Sequence, residues 1–228
     1  MFKDNPNIIQ LDEKIFWYKN FIPQEDVDLI NAESEKLIMG NHWFEEIQFK
    51  VTWYTPLLVP VWNKISEFLY PDYVIHPMAS MLYFRDGAQM APHCDSPGED
   101  MIDELTVPDV WATCCVLSYG ACVYFGEFTG GEIYYPNQNI EIPVQPGDLV
   151  IHGALKSHSH GVRPVTSGSR YTFSNFALKP EKNPGSFYNY GTKENEERQK
   201  NIDLWLQPLF NNDKSVVMPE PTRYQKDV

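Results

Sequence analysis

The spacing of apolar residues changes near residue 70, and the change separates two kinds of predicted structure. Before it, Val27, Ile30, Leu37 and Ile38 recur at helical intervals and predict a helix over 24–39. The preceding Pro23-Gln24-Glu25-Asp26 suits a helix start, with proline in the first turn and acids facing the positive end of the dipole. Gly40-Asn41 is a stop signal. A second helix is predicted over 56–69, where Leu57, Leu58, Val61, Trp62, Ile65, Phe68 and Leu69 return every three or four residues until Tyr70-Pro71-Asp72-Tyr73 ends them. Ile15-Phe16-Trp17-Tyr18 reads as a short aromatic strand.

From residue 73 onward, short β-branched and aromatic segments alternate with Gly, Pro and Asn turns. Strands are predicted over 78–85, 90–94, 111–119, 131–135, 140–144, 148–152, 160–164 and 169–178. Strands this short, with no helical pattern between them, predict a β-sandwich or barrel. The junction at 70–73 is too tight for a linker, so the helices are expected to pack on one sheet. The tail holds Pro180, Pro184, Pro208, Pro219 and Pro221 and one predicted helix near 193–206. The expected organisation is a single domain over 1–228: helical support over 1–72, a β core over 73–178, and a terminal helix and tail over 179–228.

Composition agrees with a folded domain. A chain of 228 residues, 43% hydrophobic and 14% aromatic, can bury a substantial core. It lacks the long apolar run that a membrane helix needs, and Met1-Phe2-Lys3-Asp4-Asn5-Pro6 lacks the apolar centre of a secretory signal. Cys94, Cys114, Cys115 and Cys122 show no C-x-x-C spacing and read as reduced thiols, so the expected compartment is cytoplasmic. The balance of 18 basic against 31 acidic residues gives a net charge of −13, which argues against a nucleic-acid partner and reads first as a solvated acidic surface. No feature specifies an oligomer.

The chemistry concentrates in two segments. His93-Cys94-Asp95 places a histidine and a carboxylate at i and i+2, which share a face on an extended strand. With a distant histidine they would form a two-His, one-carboxylate site, which binds Fe(II) and leaves coordination positions open for substrates. His158 and His160 both offer that histidine, expected from a strand lying opposite, and spacing alone does not choose between them. Arg170, Thr172, Ser174 and Phe176 alternate onto one face, so the Arg170 charge is expected to point inward. A buried unpaired arginine is costly, and an incoming carboxylate removes the cost.

Five segments in order resemble the Fe(II)- and 2-oxoglutarate-dependent dioxygenases, in particular their prolyl 4-hydroxylase-like branch. They are Tyr83-Phe84-Arg85-Asp86-Gly87 with Pro92-His93-Cys94-Asp95; Gly130-Gly131-Glu132-Ile133-Tyr134-Tyr135-Pro136; Pro146-Gly147-Asp148-Leu149-Val150; His160-Gly161-Val162-Arg163-Pro164-Val165; and Gly168-Ser169-Arg170-Tyr171. The resemblance covers about 76–178 and implies a mainly β fold, a double-stranded β-helix or jelly roll with N-terminal helices packed on one sheet. It selects His160 over His158 and implies that His93, Asp95 and His160 ligate iron, that Arg170 pairs with the C5 carboxylate of 2-oxoglutarate, and that Tyr83 hydrogen-bonds nearby. The implied cofactors are Fe(II), 2-oxoglutarate and O2, with ascorbate as a candidate reductant.

The implied reaction is hydroxylation of a protein or peptide side chain, with proline as the first candidate; a free amino acid or other small molecule is the alternative. A jelly-roll binding module without catalysis is a third reading, disfavoured by the intact triad and Arg170. His152 reads as packing, His158 as a surface residue, and Tyr119 sits off the place where the family carries a tyrosine that touches 2-oxoglutarate. The acidic stretch 96–109 is expected to be a mobile lid that selects substrate.

Overall fold

The structure is a computed structural model that describes residues 5–37, 42–44, 47–51, 57–76, 79–96, 98 and 117–180. In chain order, the N-terminal part supplies β1 (Ile8–Asp12), β2 (Ile15–Tyr18), α1 (Gln24–Leu37), β3 (His42–Phe44), β4 (Ile47–Val51) and α2 (Val59–Leu69). The central part supplies β5 (Val74–Ile75), β6 (Ser80–Phe84), β7 (Met90–His93), β8 (Leu117–Phe125), β9 (Phe128–Gly130), β10 (Ile133–Tyr135) and β11 (Ile140–Ile142). It ends with β12 (Leu149–Gly153), β13 (His160–Val162), β14 (Val165–Gly168) and β15 (Arg170–Leu178).

Among the described residues these strands form a large antiparallel sheet in the order β1-β2-β12-β8-β15-β6-β4-β3, with β5 also on β15, a smaller sheet in the order β11-β10-β13-β7, and a separate β14-β9 pair. Two sheets with such interleaved connections are the jelly roll that the sequence predicts. The N-terminal part differs from the expected helical support, because β1 to β4 extend both edges of the large sheet. α1 begins at residue 24 as predicted, while its predicted C-terminal end at 38–39 and the tail helix near 193–206 lie outside the described residues.

Strand alternation divides the interior. Ala121, Val123 and Phe125 of β8, Leu149 and Ile151 of β12, and Tyr171 and Phe173 of β15 face one way and pack with Val27 and Ile30 of α1 and Trp62 and Ile65 of α2. Complete burial of a side chain such as Ile65 or Val27 contributes about 1.5–3 kcal/mol, so this layer holds the helices to the sheet. The intervening residues Cys122, Tyr124 and Val150 face the other sheet and pack with Ile133, Tyr135 and Ile142. The candidate site lies on this second side.

Asp148 fixes the turn entering β12. It is 2% exposed, and its carboxylate accepts hydrogen bonds from the Asn20 amide at 2.9 Å, the Gln145 amide at 3.0 Å and Trp17 Nε1 at 2.9 Å. The Gly147-Asp148 motif therefore joins the β2 edge to the body of the sheet, where the Gly147 amide donates to the Tyr124 carbonyl at 2.8 Å and the Asp148 carbonyl accepts from the Tyr124 amide at 3.3 Å.

Candidate metal centre and its cavity

β7 and β13 are neighbours in the small sheet, and their register sets His93 directly opposite His160. Directly paired side chains share a face, and the two rings lie 4.6 Å apart. The third ligand thus comes from an adjacent strand of the same sheet, where a facing strand was expected. Asp95 lies just past the end of β7, with Oδ1 3.8 Å from His160 Nε2. One ligand atom from each of His93, Asp95 and His160 falls within 4.8 Å of the others, a spacing that one metal ion can bridge.

The hydrogen bonds of the two imidazoles suit that role. His93 Nδ1 lies 3.1 Å from the Ala91 carbonyl and His160 Nδ1 lies 3.3 Å from the His158 carbonyl. A carbonyl only accepts, so each Nδ1 carries the proton and each Nε2 lone pair is left for a metal. Burial, followed by His152, pushes the His160 pKa well below its usual value and favours the neutral, ligating ring. Burial alone would raise the Asp95 pKa, but His160, the hydrogen bond from His152 and the nearby His93 outweigh it and keep the carboxyl ionised. A neutral-imidazole and carboxylate donor set fits Fe(II).

Arg170 opens β15, and as alternation predicts, Arg170, Thr172, Ser174 and Phe176 all face one cavity of about 90 Å³ that also contains His93, Asp95 and His160. Arg170 is 1% exposed; its Nη1 donates to Thr172 Oγ1 at 2.6 Å and its Nε has no hydrogen-bond acceptor among the described residues. The guanidinium lies 4.7 Å from the Phe84 ring and 4.9 Å from the Tyr124 ring. Among the described residues no carboxylate forms an ion pair with it. Burial lowers its pKa, the direction expected for a cation without a counter-ion. Gly131 admits the arginine stem, since a Cβ there would lie 2.8 Å from Arg170 Cδ, and its φ of +68° is itself a conformation that glycine tolerates best. The orphaned guanidinium fits a co-substrate carboxylate.

Tyr83 lies outside this cavity. In β6, Ser80, Leu82 and Phe84 face the cavity, so Tyr83 faces the opposite side, stacked on Tyr171 at 5.1 Å with its hydroxyl 3.4 Å from Ser169 Oγ. Among the described residues the tyrosine inside the cavity is Tyr124, and its buried hydroxyl has no hydrogen-bond partner there. Burial raises its pKa well above the usual value, so it remains a phenol able to donate. Tyr119 packs against Tyr73 at 5.0 Å, on the helix side of the large sheet.

Two histidines also differ from expectation. His158 is buried, with Nε2 3.1 Å from Asp12 Oδ1, and belongs to a short 3-10 turn before β13, facing away from the metal ligands. His152 is fully buried and lies inside the site, its ring 3.9 Å from that of His160 and its Nε2 3.0 Å from Asp95 Oδ2. The proposed lid over 96–109 lies outside the described residues except for Ser96, whose amide donates to the Ala154 carbonyl at 2.9 Å, and Gly98.

No family model and no curated protein matches the chain. Solved structures do match, a 2-oxoglutarate–Fe(II) oxygenase and several prolyl hydroxylases among them. A viral collagen prolyl hydroxylase from Paramecium Bursaria Chlorella virus-1, in complex with 2-oxoglutarate, aligns with a TM-score of 0.56 at 16% identity over 73% of this chain and 96% of its own. A prolyl hydroxylase from Trichoplax adhaerens, bound to a hypoxia-inducible-factor peptide fragment, aligns at 0.55 with 12% identity over 74% of this chain and 85% of its own. NgTET1 with 5mC DNA aligns at 0.51 with 15% identity over 82% of this chain and 80% of its own. The chain shares the fold of these proteins, one of which is bound to a peptide fragment and another to DNA, so the substrate must be argued from this chain's own surface and site.

Proposed function

We propose that this protein is a non-haem Fe(II) oxygenase that couples decarboxylation of 2-oxoglutarate to hydroxylation of a second substrate, a peptidyl proline. One observation carries the reading: a His-Asp-His donor set and a buried arginine without a counter-ion face the same cavity. A binding module has no use for both.

His93, Asp95 and His160 would hold the metal, and together with 2-oxoglutarate it supplies oxygen activation. The protein binds and orients. Arg170 would receive the remote carboxylate of 2-oxoglutarate, and the Tyr124 hydroxyl, which has no partner among the described residues, would donate to the same group. Leu82, Phe84, Met90 and Val162 give the cavity an apolar wall that excludes water from the co-substrate. The prolyl hydroxylases among the structural neighbours support a proline substrate, and the net charge of −13 disfavours nucleic acid.

Anaerobic protein reconstituted with Fe(II), 2-oxoglutarate and ascorbate and then exposed to O2 should form succinate, and proline-containing peptides should accelerate it while gaining one oxygen atom. Acceleration by free amino acids alone would move the substrate to the small-molecule class. Absence of succinate under all these conditions would remove the oxygenase reading.

A further inference from the structure

β12 carries His152 into the gap between the two sheets, and both of its ring nitrogens are engaged. Nε2 lies 3.0 Å from Asp95 Oδ2, and Nδ1 lies 2.9 Å from the Tyr135 hydroxyl. His152 and Tyr135 are both 0% exposed, so neither contact competes with bulk water. The directions follow from the partners. An ionised carboxylate only accepts, so His152 Nε2 carries the proton and donates to Oδ2, while Nδ1 is hydrogen-bonded to the Tyr135 hydroxyl. The three side chains come from β10, from β12 and from the end of β7, so both sheets contribute to the chain of bonds.

Gly120 provides the space. It pairs with His152 across β8 and β12, and a Cβ at this position would collide with Asp95 Oδ2 and lie 2.5 Å from His152 Nε2. Glycine weakens a strand interior, and here its presence admits this one contact.

We propose that His152, oriented by Tyr135, is a positioning residue that holds Asp95 Oδ2 and so commits only Oδ1 to the metal. Asp95 Oδ1 is the oxygen facing His160, at 3.8 Å, while Oδ2 is turned into the His152 bond. A carboxylate free at both oxygens can chelate through both and occupy a coordination position that an incoming co-substrate needs. With Oδ2 held, Asp95 supplies one ligand atom at a fixed angle. The inference rests on the metal-binding reading of His93, Asp95 and His160, and adds to it a residue that sets carboxylate denticity.

The test is Co(II) binding to the metal-free protein under anaerobic conditions, followed by calorimetry and by the visible absorption of the bound ion. His152→Phe keeps a ring and removes the donor; it should weaken Co(II) binding about 10–100-fold, the usual effect of losing a partner of a metal ligand. It should also alter the Co(II) absorption bands at saturating metal, which a merely structural role would not do. His152→Gln, whose amide can donate to Oδ2, should restore most of the affinity and the spectrum. Tyr135→Phe, nearly isosteric, should move both readouts the same way by a smaller factor, and it supplies the answer if His152→Phe fails to fold. Wild-type protein that binds no Co(II) would remove the metal reading itself. Wild-type protein that binds, beside a folded His152→Phe with unchanged affinity and spectrum, would overturn the positioning role alone. So would a spectral change that signals loss of a directly bound nitrogen, because His152 would then be a fourth ligand.

Discussion

Replacing Arg170 with methionine should stabilise the unliganded protein and abolish its affinity for 2-oxoglutarate, two effects of opposite sign from one substitution. Arg170 is 1% exposed, and its Nε has no acceptor. Holding a cation there costs several kcal/mol even after relaxation. Against this stand the hydrogen bond to Thr172, about 1 kcal/mol, and the contacts with the Phe84 and Tyr124 rings, about 0.5–2 kcal/mol together. Methionine fills comparable length without charge. The balance favours Arg170→Met by about 1–2 kcal/mol, or a rise of roughly 2–8 °C in Tm for a domain of this size. Arg170→Lys keeps the charge but loses the fork, and should weaken 2-oxoglutarate by about 1.5–3 kcal/mol, on the order of 10- to 150-fold. Thermal unfolding of the metal-free protein and calorimetric titration of 2-oxoglutarate into the metal-loaded protein measure the two effects separately. A large destabilisation of Arg170→Met would show that a partner already neutralises the arginine and that its role is structural. Unchanged 2-oxoglutarate affinity in Arg170→Lys would contradict the carboxylate assignment.

Other substitutions separate scaffold from site. Asp148→Ala strands the Asn20 and Gln145 amides and the Trp17 indole, and should cost more than about 3 kcal/mol in denaturant unfolding, with or without metal; a change below about 1 kcal/mol would mean that water replaces the carboxylate. Gly120→Ala forces a methyl between Asp95 and His152 and should destabilise by about 1–3 kcal/mol while weakening metal binding, whereas a well-folded variant with normal metal affinity would show that the gap is not needed. His160 has a folded pKa below its reference value of 6.5, so in the window below 6.5 the unfolded chain binds the extra proton and stability falls as pH falls. His160→Gln should flatten the pH dependence of Tm between about pH 7 and pH 5 in chelator-treated protein; an identical slope in the variant would contradict the shift.

The parts of the site legible in the sequence were those set by short-range geometry. His93 and Asp95 are two residues apart, and Arg170, Thr172, Ser174 and Phe176 follow strand alternation, so local pattern placed them correctly. The same alternation carried the signal that Tyr83 faces away, because Phe84, its neighbour, points into the cavity. His152 and Tyr124 were missed for another reason: periodicity reports that a residue is buried but not what it meets. His152 meets Asp95 from 57 residues away. His158 meets Asp12 from 146 residues away, and no local signal could have distinguished that pair from a surface histidine. The strand predicted over 111–119 stops one residue before Gly120, yet β8 runs through that glycine to Phe125. The glycine that broke the pattern is the one that makes room for the Asp95–His152 contact.

The most direct test of the central claim is succinate formation by wild-type protein beside Asp95→Ala and Arg170→Met, each with Fe(II), 2-oxoglutarate and O2. The account predicts 2-oxoglutarate-dependent succinate from wild type and none from either variant, with Asp95→Ala failing to retain iron and Arg170→Met retaining it. Equal succinate formation by Arg170→Met and wild type, or iron retained undiminished by Asp95→Ala, would contradict the assignment of this cavity as the oxygenase site.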